Sequence, residues 1–143
     1  MSNEQKSIHG ENKRAHLALV QGVINRMGGN LFFLKGWAVT LIIGLFAATI
    51  SLNGSLYLQF ILIAVLLFFW GFDAYFLSLE RCYRDLYDAT CKKNEEDIDF
   101  SMKITEAKKY AKNTWCYALF SKTLLAFYLL LGGAMLIIIN FAK

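Results

Sequence analysis

Long uncharged runs of apolar residues alternate with charged segments along the chain. Residues 31–52 and 56–77 are almost continuously apolar, and a third apolar stretch covers residues 114–141. These runs show neither the 3.6-residue period of a surface helix nor the two-residue period of a half-buried strand. A helix needs about 20 such residues to cross the roughly 30 Å hydrocarbon core of a bilayer. The pattern therefore predicts an all-α integral membrane protein with three transmembrane helices, at 31–52, 56–77 and 123–141.

The N-terminal segment, residues 1–30, precedes the first predicted span. Apolar residues recur on one face between Lys13 and Met27, which is typical of an amphipathic helix. Paired glycines favour the left-handed conformation of a helix C-cap. We therefore expect this helix to end at Gly28-Gly29-Asn30, and Asn53-Gly54-Ser55 to form the tight turn between the first two spans.

The charged segment 78–113 is predicted to be a cytoplasmic helical extension. No Pro or Gly interrupts the chain between Asp73 and Lys93, so the second span should continue out of the membrane as one helix through Tyr87 or beyond. A second cytoplasmic helix is expected at 101–112. Residues 114–122, which are rich in aromatic side chains, are expected to lie at the membrane interface, where the chain enters the third span.

Composition and charge agree with this architecture. Hydrophobic residues make up 57% of the 143 positions and charged residues only 18%, which is too apolar for an ordinary soluble domain. Four basic residues precede the first span and eight lie from Arg81 to Lys112, whereas the turn at 53–55 has none. Because basic residues mark the cytoplasmic side of spans, we expect a cytoplasmic N-terminus and a C-terminus outside.

Three ionisable residues lie within or at the ends of the predicted spans: Asp73, Lys35 and Lys122. A charge in the bilayer is expensive and is a functional candidate by default. All three belong to the cytoplasmic third of the membrane, so either lysine can pair with Asp73, and a ring of Asp73 in an oligomer would favour cations at a pore mouth. Both lysines are also close enough to the interface to reach the headgroups with their ammonium groups.

Small residues predict close helix packing. Thr40, Gly44 and Ala48 recur at intervals of four on the first span, and Gly132 and Gly133 interrupt the large side chains of the third. Such faces let helix backbones approach each other in lipid. They fit either self-association into a homo-oligomer or contacts within one subunit.

Basic side chains concentrate at the predicted cytoplasmic face. They suit anionic lipid headgroups of the bilayer or a nucleotide or oligonucleotide ligand. Others can form i, i+4 pairs on a solvated helix, such as Glu80 with Arg84 and Arg81 with Asp85. The basic residues concerned are Arg14, Arg26, Arg81, Arg84, Lys108, Lys109 and Lys112.

Catalytic and metal-binding motifs are not recognisable. Cys82, Cys91 and Cys116 lack the spacing of metal ligands, and both histidines are far away in sequence. No glycine-rich phosphate loop or nucleophile motif occurs. We therefore expect no enzyme activity, no cofactor and no metal.

Two stretches carry a resemblance to a known group of proteins. These are Asn30-Leu-Phe-Phe-Leu-Lys-Gly-Trp37 and residues 69–88, FWGFDAYFLSLERCYRDLYD. The chain resembles, over about residues 15–90, small multi-span bacterial membrane proteins of anti-phage defence systems, such as the transmembrane effectors of the Hailong type. The resemblance implies an oligomeric inner-membrane channel that depolarises the membrane in abortive infection, under control of a nucleotide-type ligand or a partner protein. The alternative is a non-conducting membrane anchor or sensor whose cytoplasmic helices recruit a soluble partner.

Overall fold

The computed structural model of the protein describes residues 10–51 and 56–141, with side chains through residue 137. All regular structure in these residues is helical, with no strand among them, so the all-α prediction is confirmed. The turn predicted at 53–55 and the first nine residues lie outside the described residues. The helices are α1 Glu11–Ser51, α2 Leu56–Lys92, α3 Trp115–Leu119 and α4 Lys122–Phe141, with short 3₁₀ helices at Glu95–Asp97, Ala107–Lys109 and Ala111–Asn113.

The two long helices, α1 and α2, lie antiparallel along each other. They contain 41 and 37 residues, which at 1.5 Å per residue makes them about 60 and 55 Å long, roughly twice the thickness of a hydrocarbon core. The predicted continuation of the second apolar run into the charged segment is confirmed, since α2 ends only at Lys92. Each long helix therefore joins an apolar part to a polar part without a break.

The predicted helix end at Gly28-Gly29-Asn30 is wrong, because α1 passes straight through these residues. A helical glycine costs about 1 kcal/mol relative to alanine. However, α1 buries Val20 and Ile24 before the glycines and Ala38 and Ile42 after them, and packing along α2 offsets this cost. The predicted amphipathic helix and the first apolar run are consequently one helix.

The predicted helix at 101–112 is also wrong. This segment contains only two short 3₁₀ turns and otherwise irregular backbone. The side chain of Asn113 donates hydrogen bonds to Asp85 Oδ2 at 2.6 Å and to the carbonyl of Ala107 at 2.8 Å, and Arg81 donates to the carbonyl of Lys112 at 2.9 Å. These contacts fold the segment against α2 and override its local helix preference.

The core of the apolar part lies between α1, α2 and α4. One layer consists of buried Ala38, Phe69, Leu124 and Tyr128. A second layer, further from the charged segments, consists of Ile42, Leu62 and Met135. Both layers contain residues of all three helices, so the packing fixes α4 against the α1–α2 pair next to Asp73.

Candidate functional site

A buried carboxylate lies where α1, α2 and α4 meet. Asp73 of α2 is 0% exposed. Its Oδ2 accepts a hydrogen bond from the ammonium of Lys35 on α1 at 2.8 Å and another from the hydroxyl of Tyr128 on α4 at 2.9 Å. We call these three side chains the Asp73 cluster. They join the three apolar helices through one oxygen atom.

The other carboxylate oxygen of Asp73 has different surroundings. Asp73 Oδ1 is buried and accepts no hydrogen bond from the described residues. The Lys35 side chain remains 32% exposed, and its ammonium lies 5.8 Å from the centre of the Phe127 ring. The cluster thus combines a fixed carboxylate with a lysine that has a route to the surface. Its free oxygen can accept a hydrogen bond or contribute a ligand to a cation.

Two tryptophan side chains connect α3 to α2 through hydrogen bonds to backbone carbonyls. The indole of Trp70 donates to the carbonyl of Leu119 at 3.0 Å and stacks on the Tyr128 ring, with centroids 6.1 Å apart. The indole of Trp115 donates to the carbonyl of Gly71 at 2.9 Å. These contacts hold α3 and the start of α4 beside the Asp73 cluster, so Tyr128 reaches Asp73 in a fixed orientation.

Sequence reasoning placed Lys35, Asp73 and Lys122 at one depth, and the structure brings two of them together. Lys35 is the partner of Asp73, whereas Lys122 is exposed at the start of α4 and forms no ion pair within the described residues. Tyr128 was missed. A signal for it exists, because a tyrosine in the middle of an apolar run needs a partner for its hydroxyl when it is buried.

The small residues lie in two different environments. Thr40 and Gly44 are exposed on α1 and Ala48 is half-buried, and a side-chain carbon added at Gly44 would meet no atom within 4 Å. At Gly132 the same carbon would lie 3.4 Å from Leu66 of α2, whereas Gly133 is open. Gly132 therefore serves packing within one chain. The face of Thr40, Gly44 and Ala48, which we call the α1 small face, is open at Thr40 and Gly44.

The basic residues do not converge on one site. Arg84 pairs with Glu80 at 2.6 Å, as predicted from their spacing, and Lys109 pairs with Glu106 at 2.7 Å. The predicted pair of Arg81 with Asp85 is wrong, because Asp85 binds Lys112 at 2.6 Å. The three remaining basic candidates, Arg14, Arg26 and Lys108, form no ion pair within residues 10–51 and 56–137.

The pKa values around Asp85 reflect these contacts. Burial by itself would raise the pKa of Asp85, but hydrogen bonds from Lys112 and Asn113 outweigh burial, and the pKa lies below its ordinary value. The same hydrogen bond raises the pKa of Lys112. Asp85 and Lys112 therefore stay charged at neutral pH and fasten the irregular segment to α2.

A reciprocal contact ties the N-terminus of α1 to the C-terminus of α2, and sequence reasoning did not find it. The Glu95 carboxylate accepts hydrogen bonds from the backbone amides of Asn12 at 2.9 Å and Lys13 at 3.3 Å, at the N-terminus of α1. The ammonium of Lys13 donates to the carbonyls of Cys91 and Lys93 at 2.8 Å, at the C-terminus of α2. Each helix end thus receives the charge that its dipole favours, and the two ends are tied together.

The cysteines and histidine of the polar part make no cluster of ligands. Cys82 is buried, which raises the pKa of its thiol, while Cys91 and Cys116 are exposed. His16 is 0% exposed and contacts the carbonyl of Ser101 at 3.2 Å. Within the described part of the chain, no group of three or more His, Cys, Asp or Glu side chains is placed to hold a metal ion.

Fold and site together define an all-helical protein with a lysine–aspartate–tyrosine cluster, in which the aspartate and the tyrosine are buried. Two of its helices, α1 and α2, are long and apolar enough to cross a membrane. The apolar part of α4 with described side chains, Lys122–Ile137, is shorter. No protein-family model matches the chain, and no curated protein or solved structure matches it.

Proposed function

We propose that α1, α2 and α4 all cross the bacterial inner membrane, with the N-terminus in the cytoplasm and the C-terminus outside. The exposure of the apolar segments supports this proposal. Only 11% of the most apolar 18-residue window of α1 and 22% of that of α2 are buried inside the molecule, whereas the core helix of a soluble protein is mostly buried. Lipid is the solvent that suits such surfaces.

We further propose that the protein is a homo-oligomeric channel effector that depolarises the membrane in anti-phage defence. The interior of one subunit is filled by the layers around Phe69 and Leu62, so ions would have to pass between subunits. The α1 small face supplies a surface for self-association, because its small residues let a second helix approach closely. Asp73 lies on the neighbouring helix α2, and its carboxylate is the charge that would act on passing cations.

We also propose that a ligand or a partner protein opens the channel, and the unbroken course of α1 and α2 is the observation that supports this. The reciprocal contact made by Lys13 and Glu95, which we call the clamp, holds one end of these helices. The pair of Lys35 and Asp73 connects them further along. A nucleotide-type ligand or a partner protein that shifts one helix at the clamp would also shift Lys35 relative to Asp73. Separation of this pair would uncover the Asp73 carboxylate, and carboxylates along a pore favour cations.

Ion flux into liposomes that contain the purified protein tests the channel. We expect cation flux that Gly44→Leu reduces through weaker self-association, measured alongside the oligomer size in nanodiscs. Ala64→Leu is the matched control, since Ala64 is also small and exposed but lies on α2. A strictly monomeric protein, or one that never conducts with any candidate ligand, would contradict the channel.

One observation favours the alternative, a non-conducting anchor or sensor that recruits a soluble partner. Phe100 and Tyr110 are 42% and 56% exposed on the irregular cytoplasmic segment, and Phe100 has a φ of 52°, a conformation that is uncommon for residues other than glycine. Exposed aromatic side chains of this kind are frequent in protein interfaces. Alanine substitutions at both positions should then abolish partner recruitment and leave the oligomer size unchanged.

A further inference from the structure

An open cavity of about 820 Å³ lies beside the start of α4. Its wall includes Arg81 of α2, Tyr117 of α3 and Lys122 of α4. Small-molecule sites commonly have volumes of roughly 300–1,000 Å³. The cavity is therefore large enough for a lipid headgroup or a small phosphate compound, and it is separate from the Asp73 cluster, none of whose residues contributes to its wall.

The cavity carries positive charge without a compensating acid. Arg81 and Lys122 form no ion pair with any described carboxylate, and no Asp or Glu belongs to the cavity wall. The neighbouring basic residues differ in this respect, because Arg84 pairs with Glu80 and Lys112 with Asp85. Two cations on the wall of one cavity without an acid favour an anionic ligand.

Arg81 is held in an orientation suited to binding. One Nη donates to the carbonyl of Lys112 at 2.9 Å, and the guanidinium lies 5.7 Å from the centre of the Tyr117 ring. An arginine carries five N–H donors in a rigid plane, so several remain for a ligand after these contacts. A planar guanidinium in a fixed position can donate two parallel hydrogen bonds to two oxygen atoms of a phosphate group.

Hydroxyl groups complete the polar part of the wall. Ser121 and Thr123 border the cavity, and their hydroxyls can donate to a phosphate oxygen. The hydroxyl of Thr114 also borders the cavity but already donates to the carbonyl of Ala111 at 2.7 Å. The N-terminus of α4 at Lys122 adds the partial positive charge of a helix start. The wall therefore offers two full charges and the hydroxyls of Ser121 and Thr123 to one anionic group.

The position of the cavity along the chain points to the source of that group. Arg81 is the first basic residue after the apolar part of α2, and no charged residue follows Lys122 until after Ile137. Tyr117 and Phe120 next to it are 58% and 65% exposed. Cations next to exposed aromatic rings at the end of an apolar segment are typical of the headgroup level of a membrane.

We propose that the cavity between Arg81 and Lys122 binds the phosphate group of an anionic ligand, and that this ligand is an anionic phospholipid of the cytoplasmic leaflet. The lipid source rests on the membrane location under Proposed function, but not on conduction. A soluble phosphate compound shares the same chemistry and is the other source to be tested.

Native cysteines allow the test to be made on the full chain. Cys116 belongs to the cavity wall and is exposed, whereas Cys91 is exposed at the end of α2 and does not border the cavity. Maleimide labelling rates at both thiols are measured by mass spectrometry in nanodiscs of phosphatidylcholine, with and without phosphatidylglycerol. We expect phosphatidylglycerol to slow labelling at Cys116 much more than at Cys91.

Substitutions separate site binding from the general effect of a charged membrane surface. Loss of one charged contact lowers affinity by about tenfold, so Lys122→Gln should require correspondingly more phosphatidylglycerol to protect Cys116. Lys109→Gln is the matched control, because Lys109 is paired with Glu106 and does not border the cavity. In Lys109→Gln, phosphatidylglycerol should protect Cys116 at the same concentration as in the parent protein.

Pyrophosphate added to phosphatidylcholine nanodiscs distinguishes the two sources. Protection by pyrophosphate but not by phosphatidylglycerol would keep the phosphate site and overturn the lipid as its occupant. Protection by neither, or protection that Lys122→Gln leaves unchanged, would overturn the site itself. None of these outcomes depends on ion flux, so the channel proposal can fail without affecting them.

Discussion

Asp73 and Asp85 lie on the same helix and have similar partners but differ in burial. Each accepts one hydrogen bond from a lysine and one from a neutral donor: Asp73 from Lys35 and Tyr128, and Asp85 from Lys112 and Asn113. The side chain of Asp73 is 0% exposed, whereas that of Asp85 is 17% exposed and its lysine 58%. Both carboxylates fasten separate parts of the chain to α2.

The difference in burial decides what each pair contributes. An exposed ion pair adds about 0–1 kcal/mol because water solvates the separated charges almost as well. A buried pair is costly to form, but removal of one partner leaves a charge without solvent and costs about 3–5 kcal/mol. The pair at Asp73 therefore resists opening, and the pair at Asp85 serves as an adjustable fastening of the irregular segment that follows α2.

Lys35→Met should give the largest effect. It leaves the buried Asp73 carboxylate with only the Tyr128 hydroxyl as partner, and we expect the free energy of unfolding to fall by about 3 kcal/mol. Titration with SDS in mixed micelles measures this loss. Asp85→Asn, which opens the more exposed of the two pairs, should cost clearly less in the same assay.

A double variant shows whether the loss comes from the unpaired charge. Lys35→Met combined with Asp73→Asn removes both charges and keeps the shape of the aspartate, so it should recover much of the stability that Lys35→Met loses. If Lys35→Met is as stable as the parent protein, the buried pair is not the fastening that its geometry indicates.

Tyr128→Phe should have an intermediate effect. It removes one hydrogen bond to the Asp73 carboxylate, and hydrogen bonds to charged groups contribute about 1.5–3 kcal/mol. Unfolding in mixed micelles again gives the loss. Tyr75→Phe is the control, because Tyr75 is on α2 but 51% exposed. Equal effects of the two substitutions would mean that Tyr128 contributes through its ring alone.

The comparison also explains how much the sequence predicts. The apolar runs predict the long helices, because burial in a bundle and solvation by lipid both need uninterrupted apolar segments. The depth of Lys35 and Asp73 predicts their pairing, since an aspartate is too short to leave an apolar bundle by itself. Tyr128 stayed hidden because a tyrosine fits an interfacial belt equally well.

Where the sequence misleads, contacts between distant segments decide the structure. Gly28 and Gly29 favour a helix end locally, but the packing of α1 on α2 extends over both sides of them. Residues 101–112 favour a helix locally, but Asp85 and Asn113 bind this segment to α2 in another conformation. The clamp between Lys13 and Glu95 joins residues that are 82 positions apart, a distance at which spacing carries no information.

The pH dependence of Asp85→Asn is the smallest expected effect. Because the pKa of Asp85 is lowered in the folded protein, its carboxylate stabilises the fold above the ordinary aspartate pKa of about 3.9, and this contribution is lost as the pH falls further through the folded value. The stability difference between the parent protein and Asp85→Asn should therefore be present at about pH 7 and shrink as the pH falls below about 4. Asp88→Asn is the control, since Asp88 forms no described ion pair. A stability difference that stays constant over this range would show that the charge of Asp85 does not contribute and that its side chain holds the segment through packing and neutral hydrogen bonds. Asp85 would then differ from Asp73 in the nature of its contribution.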